Sequence, residues 1–224
     1  MAPIHDHENF RDGLSSERNQ PIRFAGSMLD ARRHVCAFFH SHDEEYRVLL
    51  SFIREGFERG EKAFQIVDPD RRDEHLQRLA LAGIDVAAAQ RSGQLELRGW
   101  ADTYLRGGRF DQHRHRALLE EVLQSGPRQG FPLSRCLAHM EWALEDRAGV
   151  DDLVEYEARV NYLWALYPDP VICTYDLTKF GGEVVVAVMR THPMIIIGGI
   201  PQENPFFVPP DEFLLELRTR RALQ

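Results

Sequence analysis

The side chains best suited to chemistry stand just after short apolar runs. His40, Ser41 and His42 follow His34-Val-Cys-Ala-Phe-Phe39; Trp100, with Tyr104 close behind, follows a run at 94–98; Met140, Glu141 and Trp142 follow one at 133–139; Tyr175 and Asp176 close one that starts at Val171. Imidazoles and carboxylates of this kind can move protons, hold a cation or orient a ligand by hydrogen bonds. His34-x-Cys36-x3-His40-x-His42 places two possible ligands on one strand face and two just beyond it, and His139-x-Glu141 adds a pair, but the spacing matches no strong metal signature. No metal and no cofactor are assigned. Ser41 lacks the G-x-S-x-G elbow of a nucleophilic serine and Cys173 falls inside an apolar run, so no catalytic set is assigned either. Glu141 and Asp176 could form a carboxylate pair, although salt bridging to arginine is the plainer account. His113 and His115, near the start of a helical stretch, read as surface residues.

The residues after the first apolar run do not suit nucleotide hydrolysis. A phosphate loop needs glycines so that backbone N–H groups can approach the phosphates, a lysine for the β/γ-phosphates and a Ser/Thr for magnesium. The corresponding position reads Phe-Phe-His-Ser-His-Asp-Glu-Glu, with no glycine or lysine and with three acids that repel a triphosphate. Asp176 resembles the magnesium-holding acid of such enzymes but lacks the loop that would complete the mechanism.

The elements that must position these residues follow from hydrophobic periodicity. Apolar runs at 34–39, 63–67, 94–98, 133–139, 171–175 and 194–197 alternate with helical patterns. One pattern opens at Asp43 and is stopped by Gly60; another runs to Gly83; a short alanine-rich piece opens at Asp85. Further helices are expected at 111–124, ended by Ser125-Gly126-Pro127, at 151–167, at 182–191 and from Asp211 onward. Strands alternating with helices of this length require an α/β fold in three layers, a mainly parallel sheet flanked by helices. Residues 1–30 read as a flexible arm with a turn at Gly26, 31–210 as the domain and 211–224 as a C-terminal helix.

Composition narrows the function. The chain of 224 residues has 27 basic and 35 acidic side chains, a formal net charge of −8, and no apolar run of the 18 or more residues a spanning helix needs. The acidic balance and the absence of a basic stripe argue against direct nucleic-acid binding. Arg218, Arg220 and Arg221 read as a solvated helix end. Cys36, Cys136 and Cys173 are an odd set without a C-x-x-C, which suits reduced core residues in a cytoplasmic protein. In open parallel sheets ligands sit outside the strands' carboxyl ends. The expected ligand site therefore has walls of Trp100, Tyr104, Phe110, Trp142 and Tyr175, with His40, His42, Glu141 and Asp176 as orienting groups.

Ten segments in order resemble one family. They are His34-Val-Cys-Ala-Phe-Phe39, Phe52-Ile-Arg-Glu-Gly-Phe-Glu-Arg-Gly-Glu61, Ala82-Gly-Ile-Asp85, Ser92-Gly-Gln-Leu-Glu-Leu97, Tyr104-Leu-Arg-Gly-Gly-Arg-Phe110, Met140-Glu-Trp142, Tyr156-Glu157, Cys173-Thr-Tyr-Asp176, Thr191-His-Pro193 and Asn204-Pro-Phe206. Together they are similar to the MEDS domain, a methanogen/methylotroph sensory domain. The resemblance implies a RecA/KaiC-like fold without a phosphate loop, and the sensing of small organic molecules, typically hydrocarbon derivatives. It also implies a regulatory output through a kinase, an anti-sigma module or a transcription regulator. Arm and tail are short for an output domain, so a separate partner is the expectation, with the Gly107-Gly108 loop or the 201–210 stretch as the surface that shifts. Two other readings stay open: a protein-interaction module of degenerate nucleotide-binding fold, and a metal-dependent enzyme using His40, His42, Glu141 and Asp176.

Overall fold

The computed structural model describes residues 21–24, 27–29 and 33–223. In chain order the elements are β1 (Ile22–Phe24), β2 (Ser27–Leu29), β3 (His34–Phe39), α1 (His42–Glu58), β4 (Lys62–Ile66), α2 (Arg72–Leu81), α3 (Val86–Ser92), β5 (Leu95–Arg98), α4 (Gln112–Arg128), β6 (Ser134–His139), α5 (Leu153–Trp164), β7 (Val171–Asp176), α6 (Gly182–Met189), β8 (Met194–Ile197), β9 (Ile200–Glu203) and α7 (Pro210–Ala222). The main sheet has seven strands in the order β5-β4-β6-β7-β3-β8-β9. All neighbours run parallel except β9, which pairs antiparallel with β8. This is the mainly parallel α/β sheet that the alternation demands.

Alternation along each strand sorts side chains onto two faces. Cys36, Phe38, Phe64, Cys136, Cys173 and Tyr175 face one core, which α4, α5 and α6 cover. Val35, Ala37, Phe39, Ala63, Leu137 and Ile172 face the other, covered by α1, α2 and α3. Every residue of β3 is buried, as a central strand covered on both sides should be.

Three differences from the sequence reading have local causes. β1 and β2 pair antiparallel, and Ile22, Phe24 and Leu29 are buried in the second core, so these two strands pack on the domain. Residues 1–20 and the turn expected at Gly26 lie outside the described residues. α4 runs through Ser125-Gly126-Pro127 to Arg128 instead of stopping at 124, because a proline in the last turn forfeits only one amide bond while the helix end stays packed. Gly126 allows that packing: a Cβ there would stand 2.6 Å from Ser134 Oγ at the start of β6. Finally, the proline-rich stretch begins as an edge strand, β9, with Pro201 in it, where a missing ladder donor is tolerated. The C-terminal helix packs on α5 through Phe213 and Leu214 against Ala158.

Candidate functional site

Three features on this frame could carry function: a polar cleft at the sheet's carboxyl edge, an apolar chamber on the first face, and a buried polar cluster beside that chamber.

The cleft is narrow, with room for about one water-sized molecule, and lies where β3, β6 and β7 end, lined by Ser41, His42, Glu45, Glu141, Tyr175 and Asp176. Its floor is the start of α1. Ser41 Oγ accepts from Glu44 N–H at 3.2 Å, and the Glu44 carboxylate accepts from His40 N–H at 2.8 Å. These two bonds occupy the Glu44 amide of the first turn and the His40 amide just before the cap. Asp43, Glu44 and Glu45 then load the first turn with negative charge. That field disfavours a phosphate.

Behind the cleft, Glu45 is buried and pairs with Arg71 at 2.8 Å. His139 Nδ1 accepts from Asp68 N–H at 3.2 Å, so Nε2 carries the proton; it faces Glu45 Oε1 across 3.0 Å, out of line for a good hydrogen bond. Burial raises the Glu45 pKa, but His139 and Arg71 outweigh it and bring the carboxyl down to about 2. His75 bridges Tyr46 (2.7 Å) and Gln65 (2.6 Å), and burial, reinforced by His139, holds it neutral with a pKa of about 3. Glu141 is buried with one carboxyl oxygen lacking a hydrogen-bond partner. Asp176 accepts from Thr178 N–H and Oγ1 at 2.8 and 2.6 Å, which shapes the turn after β7. His40 is exposed, and His42 lies 3.4 Å from Glu74.

The predicted aromatic walls all belong to the first core. Tyr104 stacks on Trp142 at 4.5 Å and on His115 at 3.9 Å, while Phe110 meets Trp142 at 4.4 Å. His115, expected at the surface, is buried: on α4 it continues the stripe of Leu118, Leu119, Val122 and Leu123, and both of its ring nitrogens lack partners. Burial lowers its pKa to about 3.

Under this stack lies a chamber with about 300 Å³ of space between atoms, walled by Phe64, Tyr104, Leu119, Tyr156, Val160 and Trp164. Its walls close to a width that admits about one water-sized molecule. His34 and Cys173 form part of its lining.

Those two belong to the buried cluster. His34 and His192 each place Nε2 3.3 Å from Glu157 Oε2, and the Tyr175 hydroxyl donates to Glu157 Oε1 at 3.0 Å. Burial raises the Glu157 pKa, and only protonated His192 and His34 rings would pull it back below the usual carboxylate range. Burial lowers the His34 pKa, and the neighbouring His192 adds to that. Tyr175 joins the features: it lines the cleft, and its hydroxyl reaches Glu157.

The family model of the methanogen/methylotroph, DcmR sensory domain matches residues 33–193. The chain belongs to the MEDS family. The transcriptional repressor DcmR of Methylorubrum extorquens is 24% identical to it over 169 residues, 75% of this chain and 61% of that protein, so the chain spans under two thirds of that relative. A KaiC-like protein from Pyrococcus horikoshii superposes with a TM-score of 0.51 at 12% identity, over 73% of this chain and 69% of the other. A flagellar accessory protein from Methanocaldococcus jannaschii gives a TM-score of 0.46 at 15% identity, over 85% and 81%. This MEDS domain thus has a KaiC-like fold, and among the described residues no helix is long and apolar enough to cross a membrane.

The site residues expected from the MEDS sequence fall into two places. His42, Glu141, Tyr175 and Asp176 line the cleft. Trp100, Tyr104, Phe110 and Trp142 pack inside the first core, with Tyr104 on the chamber wall. Glu157, Asn161 and His192 were not anticipated. One signal was available: Glu157 and Asn161 are polar residues one helical turn apart beside the apolar stripe of Tyr156, Val160 and Leu163, and buried polar side chains on such a face need a reason.

Proposed function

We propose that this MEDS domain is a non-catalytic sensor that takes up a small, mainly apolar organic molecule, such as a hydrocarbon derivative, in the chamber beneath Tyr104 and Tyr156. The observation that carries this reading is a void lined almost wholly by apolar side chains and bordered by polar groups without partners. Trp164, a wall residue, has an indole N–H with no acceptor, and His115, stacked behind Tyr104, has two idle nitrogens. Pockets of this kind, apolar with a few orienting polar atoms, suit small organic ligands. Because the closed chamber has room for only about one water-sized molecule, the occupant must be of few heavy atoms and must push the walls apart to enter.

Phe110, Trp142 and Trp100 back the chamber, so an occupant that moves Tyr104 moves the stack. Tyr175 offers the route from there to the carboxyl edge, where His40, His42, Glu141 and Asp176 form the rim at which a partner would read the change. That the relative DcmR is a transcriptional repressor supports an output in transcription regulation through a regulatory partner in the cytoplasm. Direct contact with nucleic acid or membrane is not part of this reading.

The test uses intrinsic fluorescence, since all three tryptophans sit in the first core. A panel of short alcohols, ketones and halogenated alkanes should give saturable quenching and a raised melting temperature for at least one compound. Val160→Phe and Leu119→Phe, which fill the chamber, should abolish that response, while Asp176→Asn should retain binding. Hits that bind both filled variants with unchanged affinity would remove the chamber as the site.

A further inference from the structure

Four donor atoms from four separate segments converge inside the first face. His34 Nε2 comes from β3, Cys173 Sγ from β7, the Glu157 carboxylate from α5 and His192 Nε2 from the turn after α6, all within 4.8 Å of one another and all buried. The surrounding hydrogen bonds decide which atoms carry protons. The Asn161 amide nitrogen donates to the carbonyls of Glu157, Ala158 and Thr191 at 3.0, 3.2 and 2.8 Å, so its Oδ1 is an acceptor, and His34 Nδ1, 3.0 Å away, must be the N–H that donates to it. His192 Nδ1 lies 2.9 Å from the Val188 carbonyl, which only accepts, so it too carries the hydrogen. Both neutral imidazoles therefore present bare Nε2 lone pairs toward the same carboxylate oxygen.

Three lone-pair donors facing one another in a dry core repel unless something positive lies between them. Glu157 Oε1 is occupied by the Tyr175 hydroxyl, while Glu157 Oε2 and His192 Nε2 have no hydrogen-bond partner. Protons are a partial remedy: one would neutralise the carboxylate but leave the other bare Nε2 facing it, and a second would put two imidazolium rings 4.0 Å apart with net positive charge in the interior. A divalent cation suits the geometry better. Ligands about 2.05 Å from a tetrahedral metal stand about 3.3 Å from each other, which is the spacing of both Nε2 atoms from Glu157 Oε2, 3.3 Å. The Cys173 sulfur stands 3.9 Å from His34 Nε2, and all four donor atoms lie within 4.8 Å of one another, so the sulfur must move inward by up to about an ångström to complete the tetrahedron. Nδ1–H groups fixed by a carbonyl and an amide oxygen are the supports that metal-binding histidines ordinarily have.

We infer that His34, Glu157, Cys173 and His192 bind one divalent transition-metal ion of zinc type in a closed tetrahedral site. Binding deprotonates the Cys173 thiol and releases that proton to solvent. The cation's two charges then balance one thiolate and one carboxylate, so a neutral unit is buried. The ion ties β3, β7, α5 and the α6–β8 turn together, and through His34 and Cys173 it stiffens one wall of the chamber. The site stands whether or not the chamber takes an organic ligand.

The experiment is a Co²⁺ titration of the full chain after chelator treatment, with no organic compound present. One equivalent should bind with the intense visible bands of tetrahedral Co²⁺ and a near-ultraviolet thiolate charge-transfer band. Cys173→Ser should lose the thiolate band, whereas Cys136→Ser, on the same sheet face but outside the four ligands, should keep it. Asn161→Ala should weaken binding about 10- to 100-fold by freeing the His34 ring. A wild-type titration with no saturable absorbance, or a thiolate band that survives Cys173→Ser, overturns the site; the wild-type result alone decides if a variant fails to fold.

Discussion

His115→Phe should make the protein more stable and less sensitive to acid. His115 is only 1% exposed, stacks 3.9 Å from Tyr104, and is ringed by Phe110 and Tyr156, with Glu157 the one charge that raises its proton affinity. Two ring nitrogens without partners represent a standing penalty of about 1–3 kcal/mol at neutral pH, which an apolar ring of similar shape removes. The acid term is separate. The folded-state pKa is depressed from 6.5 to about 3, so the unfolded chain binds the proton more readily. Stability from this group is fully present above pH 6.5 and is lost as pH falls toward 3. Moving from pH 7 to pH 5 should remove about 2 kcal/mol through His115 alone. Urea unfolding of both proteins at pH 7 and pH 5, with equal slopes, measures the difference. The advantage of His115→Phe should be about 2 kcal/mol larger at pH 5 than at pH 7. Any steric misfit of the phenyl ring cancels in that comparison. An advantage that does not grow on acidification would refute the reasoning, because it would mean that the imidazole is hydrated or paired in the folded state.

Other outcomes follow from the same kind of accounting. Arg71→Met strips the partner from the buried Glu45 carboxylate and should destabilise by about 3 kcal/mol, while Arg71→Met with Glu45→Gln should recover most of that loss in urea unfolding. Gly126→Ala should cost about 1–3 kcal/mol, because its Cβ would stand 2.6 Å from Ser134 Oγ. Ser134→Ala alone should be nearly neutral, since that buried hydroxyl has no hydrogen-bond partner, and combining the two should show a favourable coupling in calorimetric melting. His75, held at a pKa of about 3 by burial and by His139, should contribute its own acid-labile stability, so His75→Gln should also flatten the pH profile between 6.5 and 4.

Much of the fold was open to reading because its signals are local. β3 and β8 occupy the residues that their apolar runs mark, and the helix expected to open at Asp43 begins one residue earlier, at His42, with Ser41 as its short-range cap. The absence of a phosphate loop is equally local, since no fold can supply glycines that are not in the chain. The pair β1–β2 escaped because strands of three residues carry no measurable period, and their burial depends on a core built by distant segments. Strand order was likewise beyond a pattern that records which segments are strands but not which are neighbours.

The site divides along the same line. The sequence by itself determined the chemical types: aromatic and carboxylate residues after β5, β6 and β7, and histidines around β3. Tertiary structure decided where each goes. It packed Trp142, Tyr104 and Phe110 into one stack while leaving His42, Glu141 and Asp176 at the edge, because helices α4 and α5 cover the first face and exclude solvent from the rings. It also brought Glu157, Cys173 and His192 to His34 across more than a hundred residues of chain. Only long-range packing could do this, since donor atoms that meet through strand pairing and helix docking leave no fixed spacing along the chain.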